Sequence, residues 1–288
     1  MRATLSRILS DGGARLAAGA RALDVVTEAV RALEDCPHLN AGRGAVLNAA
    51  GEHELDAAVM CGRSGRAGAV CGVRTVLNPI LTARALLEDG AHVMLAGAGA
   101  EAFSQRCGHA AVENSVFCTS YRRQQWEAAR GGAAAAAPPA ALLGTVGAVC
   151  LDAHGALAAA TSTGGMTNKL PGRVGDTPCL GAGTYADAGV AVSCTGTGEA
   201  FMRACAAKEV ASALKWRQRR EGEAAGEGLR VACAEALRSV AALGGSGGLI
   251  AVAEDGSVEL PFDTEGMYRG TWSAAHGARV AIYKEALS

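Results

Sequence analysis

The sequence has few of the features that mark several large classes of protein. Aromatic residues make up 4% of the 288 residues, and 27 Lys and Arg nearly balance 28 Asp and Glu, leaving a formal net charge of −1. Nucleic-acid binding depends mainly on clustered positive charge, so this balance argues against a nucleic-acid partner. Half of the residues are hydrophobic, which is enough for a sizeable core and argues against disorder.

Long apolar runs are also missing. No stretch reaches the about 18 apolar residues that span a bilayer, and the opening segment lacks the apolar core of a secretion signal. We therefore expect a cytoplasmic protein with no membrane partner. The 10 cysteines include no C-x-x-C pair, and no two of the 6 histidines stand four residues apart. The sequence accordingly predicts reduced thiols and no zinc site.

Hydrophobic spacing predicts helices and antiparallel hairpins in both halves of the chain. The dipeptide Asn78-Pro79 is typical of a helix start. Turn residues predict hairpins over 45–60 and around Asp152–Gly155, and a long helix is predicted from about Glu199 to Trp216. This order of elements favours an α+β protein with mostly antiparallel sheets.

An uncharged segment divides the chain. Residues 131–144 read GGAAAAAPPAALLG, with no charge and no amphipathic pattern, so we interpret about 127–144 as a surface linker. Further on, Gly244–Gly248 satisfies G-x-S-x-G. A nucleophile elbow needs a strand before the Ser and a helix after it, and here the predicted order is reversed. We therefore predict a tight helix–strand connection at that point.

Thr145 opens a predicted strand directly after the linker and Gly144. A threonine hydroxyl is a poor nucleophile unless a base removes its proton. A free α-amino group, which titrates near about 7.7–8.0, can be that base. Thr145 has such an amine only if the peptide bond between Gly144 and Thr145 is cut. On composition alone, an ordinary β-branched strand residue is the simpler interpretation.

Four sequence motifs favour the interpretation of Thr145 as a nucleophile. They cover residues 33–60, 144–187, 193–201 and 245–270, and the second reads GTVGAVCLDAHGALAAATSTGGMTNKLPGRVGDTPCLGAGTYAD. In length and order they resemble the plant-type asparaginase and isoaspartyl peptidase family of N-terminal-nucleophile hydrolases. The variants TGTGE and PFDTEGMYR are most similar to the bacterial isoaspartyl peptidases. The resemblance implies a single domain over residues 1–288, folded as a four-layer αββα sandwich.

The resemblance also implies a precursor that cuts itself between Gly144 and Thr145. The products would be an α subunit, residues 1–144, and a β subunit, residues 145–288. The new N-terminal Thr145 would attack the side-chain amide of L-asparagine or the β-linked carbonyl of an isoaspartyl dipeptide, and water would hydrolyse the acyl-enzyme.

Further site residues follow from matching motif positions. Around the nucleophile, Thr163 would orient it, Asn40 would lie against it, and Thr195 with the Gly196 N–H would form the oxyanion hole. For the substrate, the planar fork of Arg173 would hold the α-carboxylate, Asp176 would meet the α-ammonium, and Gly196 and Gly198 would supply backbone contacts.

The resemblance implies no cofactor for catalysis, a structural sodium ion, and a dimer of αβ heterodimers acting on a small-molecule substrate. Backbone carbonyl oxygens are suitable ligands for such a hard cation. The implied sodium ligands are the carbonyls of Leu33, Glu34, Cys36, Leu39, Ala41 and Arg43.

Three features of the sequence depart from the family pattern. The family starts with an apolar strand ending in H-G-G-A-G, and this chain begins beyond it, so we expect that N-terminal strand to be missing. Leu39 stands where Phe is common, and Cys61 stands where Asp is frequent. Two alternatives remain open: a glycosylasparaginase or taspase-like endopeptidase with the same nucleophile, and an unprocessed, inactive scaffold.

Overall fold

A computed structural model describes residues 1–131, 144–218 and 225–288, and within these residues the fold is α+β, as predicted. The helices are α1 (Arg2–Ala17), α2 (Ala22–Glu34), α3 (Pro79–Asp89), α4 (Gly97–Arg106), α5 (Ser120–Arg130), α6 (Gly198–Ala204), α7 (Ala206–Gln218) and α8 (Ala225–Ala242). The strands are β1 (Leu55–Cys61), β2 (Ala67–Val73), β3 (Met94–Ala96), β4 (Val146–Leu151), β5 (Leu157–Thr163), β6 (Thr184–Ala186), β7 (Val190–Gly196), β8 (Gly247–Ala253), β9 (Val258–Glu259), β10 (Arg269–Ser273) and β11 (Gly277–Ala281).

Two sheets carry most of the strands. The first has the order β3-β2-β1-β5-β4 and the second the order β6-β7-β8-β9, while β10 and β11 form a separate hairpin. Among the described strand pairs, only β2 and β3 run parallel. The prediction of mostly antiparallel sheets is therefore confirmed.

Alternation along the strands divides the core into clusters on opposite sheet faces. Ala158 and Ala160 of β5 face outward and pack in a cluster with α1, α2 and α3. Leu157 and Ala159 of the same strand face inward and pack against Ala191 of β7. The outer face of the second sheet packs in a third cluster with α6, α7 and α8. The two sheets thus meet across a shared apolar layer.

Two local predictions were wrong. The segment 45–60 is not a hairpin, because only β1 is a strand and Asn48 lies in the loop before it. The Asn48 side chain accepts hydrogen bonds from the N–H groups of Ala50 and Glu52, which satisfies these donors locally. The long helix predicted from Glu199 breaks at Cys205, whose φ of 47° is left-handed and separates α6 from α7.

Several other predictions are confirmed. Helix α3 begins at Pro79, after Asn78. Residues 243–246 connect α8 to β8, as predicted for the Gly-rich run. The predicted linker start of about 127 is too early, because the helix capped by Thr119 continues through the helix-forming residues 127–130 to the end of α5. Residues 132–143 of the predicted linker lie outside the described residues. No helix in the described ranges is long and apolar enough to cross a membrane.

Candidate active site

Thr145 lies immediately before β4, on the face of the first sheet that meets the second sheet. The register pairs Val146 with Ser162, so Thr145 lies across from Thr163 of β5. The Thr145 hydroxyl donates to Thr163 Oγ1 at 3.0 Å, and the Gly165 N–H donates to the same oxygen at 3.0 Å. The structure therefore brings these two predicted site residues together, and the turn after β5 holds Thr163.

Asn40 fixes that turn from a distant part of the chain. Its Nδ2 donates to the Gly165 carbonyl at 2.7 Å, and its own carbonyl accepts from the Gly164 N–H at 3.0 Å. Its Oδ1 accepts from the Val46 N–H at 3.0 Å. A β-carbon on Gly164 would lie 2.6 Å from Asn40 Oδ1, so this close approach needs glycine. Asn40 thus positions the backbone that supports Thr163.

Thr195 and Gly196 end β7 in the second sheet and approach Thr145 from the opposite side. A β-carbon on Gly144 would lie 2.5 Å from Thr195 Oγ1, which places this hydroxyl against the residue before Thr145. Gly196 has a φ of 146°, which is outside the range that other residues usually adopt. A donor group therefore lies next to the Gly144–Thr145 peptide.

The Gly-rich connection before β8 supports this segment. The Thr197 N–H donates to the Ser246 carbonyl at 2.9 Å, and the Ser246 N–H donates to Thr197 Oγ1 at 3.2 Å. A β-carbon on Gly196 would collide with the Ser246 carbonyl oxygen. The sequence identified this run as a connection and missed that it packs directly behind Gly196, because the contact depends on the pairing of β7 with β8.

A cavity of about 570 Å³ opens beside Thr145. Leu39, the residue that departs from the family's usual Phe, lies on its wall, and none of the described residues that line it is charged. Thr163 does not line the cavity and reaches it through Thr145. The predicted catalytic and self-cleavage residues on its wall are Asn40, Gly144, Thr145, Thr195 and Gly196, and two implied sodium-site residues, Leu33 and Leu39, also line it.

Arg173, Asp176 and Gly198 form a separate charged cluster that does not line this cavity. A β-carbon on Gly198 would lie 2.7 Å from Arg173 Nη2 and 3.0 Å from Asp176 Oδ1, so both side chains lie against this glycine. Gly165 joins the charged cluster to the cavity, because it lines the cavity and its β-carbon position lies 3.2 Å from Arg173 Nη1. The turn that holds Thr163 therefore also adjoins the guanidinium.

Glu199 is a site residue that the sequence analysis missed. Its carboxylate accepts two hydrogen bonds from Arg173, from Nε and from Nη2, each at 2.9 Å. The Arg173 side chain is 15% exposed and that of Glu199 is 51% exposed. The hydrogen bond from Arg173 lowers the pKa of Glu199. Glu199 thereby holds one edge of the guanidinium, and its place at the end of the TGTGE motif was the available signal.

Asp176 is a buried carboxylate without a full set of partners. Its Oδ2 has no hydrogen-bond partner among the described residues. Burial raises the pKa of Asp176 to about 7, although the nearby positive charge of Arg173 opposes this rise. A buried anionic oxygen without a partner is costly, and a cation of suitable size would satisfy it.

Lys169 lies in the same region and was also missed. The residue is buried, and its Nζ donates to the Glu54 carbonyl at 2.8 Å. Burial lowers the pKa of Lys169, and the charge of Asp56 opposes this shift. The sequence could not show this, because Glu54 and Asp56 lie more than 100 positions away from Lys169.

The segment with the implied sodium ligands forms the end of α2 and the loop after it. The carbonyls of Leu33, Glu34 and Cys36 already accept the N–H groups of Cys36, Arg43 and Leu39, at 2.8–3.2 Å. A carbonyl oxygen has two lone pairs, so each of the three can accept a second contact, and the donor set fits a hard cation. Among the side chains that the structure describes, no group of three or more His, Cys, Asp or Glu could hold a metal.

Fold and site together define an α+β protein with a threonine at the head of β4, the edge strand of the first sheet, with hydroxyl groups around it and a charged cluster nearby.

Comparisons with known proteins identify the family. The model of the Asparaginase family matches residues 1–282, and the chain belongs to this family. It is 51% identical to the isoaspartyl peptidase of Escherichia coli (strain K12) over 98% of this chain and 88% of that protein. It is 50% identical to the isoaspartyl peptidase of Salmonella typhimurium, over 98% and 90%. It is 39% identical to the isoaspartyl peptidase/L-asparaginase of Xenopus laevis, over 98% and 88%.

The raised pKa of Asp176 predicts how stability depends on pH. The folded pKa, about 7, is above the ordinary 3.8, so the folded state binds more protons between these values and loses stability as pH rises through them. Asp176→Asn removes the buried charge and keeps the shape. We expect it to raise Tm, and by more at pH 8 than at pH 5. Thermal unfolding at both pH values checks this, and an equal change at both would contradict it.

Proposed function

We propose that this protein hydrolyses the β-aspartyl bond of isoaspartyl dipeptides and the side-chain amide of L-asparagine, after cutting its own chain between Gly144 and Thr145. The observation that carries the proposal is the convergence of three hydroxyl groups from two sheets. Thr145 contacts Thr163 on one side, and Thr195 lies against Gly144 on the other. The names of the relatives, isoaspartyl peptidase and isoaspartyl peptidase/L-asparaginase, agree with this activity.

Self-cleavage makes the catalytic base. The Thr145 hydroxyl attacks the Gly144 carbonyl carbon, the bond from that carbon to the Thr145 nitrogen breaks, and an ester forms. The hydroxyl proton ends on the released amine. Water then hydrolyses the ester, which leaves a Gly144 carboxylate and a Thr145 with a free hydroxyl and α-amine. Thr195 lies beside this peptide and would donate to the oxyanion that develops on the Gly144 carbonyl.

After the cleavage, Thr145 uses its own α-amine as the base in each turnover. The neutral α-amine takes the proton from Thr145 Oγ1, which attacks the substrate's side-chain carbonyl. Thr195 and the Gly196 N–H would stabilise the oxyanion, an interaction whose loss costs about 10²–10³ in kcat in other hydrolases. The amine returns the proton to the leaving nitrogen. Water hydrolyses the acyl-enzyme by the same route.

The charged cluster would recognise the aspartyl part of the substrate. Its α-carboxylate matches the guanidinium of Arg173, and its α-ammonium matches Asp176, whose Oδ2 has no other described partner. Both groups lie against Gly198, so the opposite charges of a zwitterionic amino acid would be bound side by side. Glu199 would keep Arg173 in the orientation that this requires.

Further parts of the proposal rest on the resemblance and on packing. The clusters on both faces of the first sheet and on the outer face of the second support a four-layer αββα sandwich within one domain. The mature form would consist of an α subunit, 1–144, and a β subunit, 145–288, assembled as a dimer of heterodimers in the cytoplasm. A sodium ion held by the carbonyls of the loop after α2 would stabilise that loop.

Thr145→Ala tests the nucleophile. Without the hydroxyl, neither self-cleavage nor turnover can begin. We expect one band near 28.9 kDa on a denaturing gel, and no release of ammonia from asparagine above background. Wild-type protein and Thr271→Ala, a threonine on β10, should give two bands of similar size with Thr145 as a new N-terminus.

Ammonia release by Thr145→Ala at the wild-type rate would refute the mechanism. An uncut, inactive wild-type protein would favour the scaffold, and activity confined to glycosylated asparagine or to folded proteins would favour the alternative hydrolases.

Arg173→Lys tests carboxylate recognition. Lysine keeps the charge but loses the planar fork, so we expect KM for a β-aspartyl dipeptide to rise about tenfold or more while kcat changes less. Steady-state kinetics on the processed enzyme check this. An unchanged KM would show that Arg173 does not hold the carboxylate.

Glu199→Gln tests the support of Arg173. Gln keeps the shape but loses the charge, so the guanidinium is held less firmly, and we expect KM to rise about threefold to tenfold with a smaller change in kcat. Glu209→Gln, at the start of α7, is the matched control and should keep the wild-type KM. The same KM in both variants would rule out the positioning role.

A further inference from the structure

The inner faces of the two sheets carry hydroxyl residues in two rows. The first row consists of Thr145, Thr163 and Thr195, the residues that surround the proposed nucleophile. Side chains alternate along a strand, so a residue two positions away on the same strand faces the same way, about 6.6 Å away. These residues form the second row: Gly147 of β4, Thr161 of β5 and Ser193 of β7.

The second row contains a hydrogen bond that crosses from one sheet to the other. The oxygens Thr161 Oγ1 and Ser193 Oγ lie 2.8 Å apart, and both residues are buried. Thr161 is on the strand that carries Thr163, and Ser193 is on the strand that carries Thr195. This bond therefore links the strand that supports the nucleophile to the strand that carries the proposed oxyanion group, one row away from the reacting atoms.

Gly147 makes room for this bond. It pairs with Thr161 in the register of β4 and β5. A β-carbon at position 147 would collide with Ser193 Oγ and lie 2.9 Å from Ser193 Cβ. The Ser193 hydroxyl thus sits directly over the Gly147–Thr161 pair, in a space that only glycine leaves open. This fit is more specific than a hydroxyl pair that happens to lie in a core.

The bond is part of a longer network that reaches the charged cluster of Arg173 and Asp176. Thr184 Oγ1 lies 2.7 Å from Thr161 Oγ1 and 3.0 Å from the carbonyl oxygen of Thr177. Thr177 follows Asp176, and the Gly183 N–H donates to the Asp176 carbonyl at 3.0 Å. Thr161 thus contacts two branches of the network: Ser193, on the strand that carries Thr195, and Thr184, which leads to Thr177 and Asp176.

We propose that the hydrogen bond between Thr161 and Ser193 is a positioning contact, which sets the distance between Thr195 and the nucleophile for the hydrolysis proposed above. Ser193 lines the cavity beside Thr145 and Thr161 does not; in this role both residues act through Thr163 and Thr195 and not on a reacting atom. Since a misplacement of about 1 Å in a catalytic group can cost about a hundredfold in rate, the loss of this bond should appear in kcat. The charged cluster proposed to bind the aspartyl group is linked to Thr161 through Thr184, so KM should change less when only the contact with Ser193 is lost.

The chain offers a matched control for a buried hydroxyl pair. Thr82 of α3 and Ser104 of α4 are both buried, and their hydroxyl oxygens also lie 2.8 Å apart. Neither residue lines the cavity beside Thr145. Thr82→Val and Thr161→Val therefore each break a buried hydroxyl pair by the same substitution, one away from the site and one next to it. Thr161→Val also removes the contact with Thr184, which Ser193→Ala leaves in place.

The experiment compares wild type, Thr161→Val, Thr161→Ser, Ser193→Ala and Thr82→Val by Tm and by steady-state kinetics on processed enzyme with a β-aspartyl dipeptide. We expect kcat to fall at least about tenfold in Thr161→Val and Ser193→Ala. Thr161→Ser, which keeps the hydroxyl, should stay within about threefold of wild type, and Thr82→Val should keep the wild-type kcat. In Ser193→Ala, KM should change less than kcat.

Wild-type kcat in Thr161→Val, with a Tm loss equal to that of Thr82→Val, would show a merely structural role and overturn the inference. If Thr161→Val does not fold, Ser193→Ala decides by the same criterion, because it removes the same bond by deleting one oxygen. A wild-type protein with no activity on dipeptide or asparagine would overturn the proposed function instead.

Discussion

The site depends on one constraint, which is that Thr145 begins a strand whose inner face meets a second sheet. Pairing with β5 turns the Thr145 side chain toward Thr163, and the second sheet brings Thr195 against Gly144. A threonine on the outer face of the same strand would meet the helices that cover the first sheet, where Ala158 and Ala160 pack. The hydroxyl groups thus converge because side-chain alternation points Thr145 toward the face of the first sheet that packs against the second sheet.

The molecule separates its neutral and its charged polar groups. None of the described residues that line the cavity beside Thr145 is charged, whereas Arg173, Asp176, Glu199 and Lys169 gather on the other side of Gly165 and Gly198. The separation suits a substrate with a reacting carbonyl at one end and an ammonium and a carboxylate at the other. The separation lowers the stability of the protein without substrate, since Asp176 is buried with an oxygen that has no described partner. Binding of a cation would offset that loss.

Much of the fold and site could be predicted from the sequence, and the failures have physical reasons. Alternation and turn residues predicted the antiparallel sheets, and motif positions predicted Thr145, Thr163, Thr195 and Asn40, which lie together. The hairpin over 45–60 failed because Asn48 satisfies the backbone locally. Glu199 and Lys169 were missed because their partners come from other segments. The roles of the site residues, the self-cleavage and the sodium ion stay predictions.

The fit between Gly147 and Ser193 also limits how this sequence can change. A β-carbon at position 147 would lie 2.9 Å from Ser193 Cβ, so even alanine at 193 would leave too little room for alanine at 147. A residue with a side chain can therefore replace Gly147 only after position 193, on a strand of the other sheet, has become glycine. Among distant relatives, a residue larger than glycine at position 147 should be accompanied by glycine at position 193.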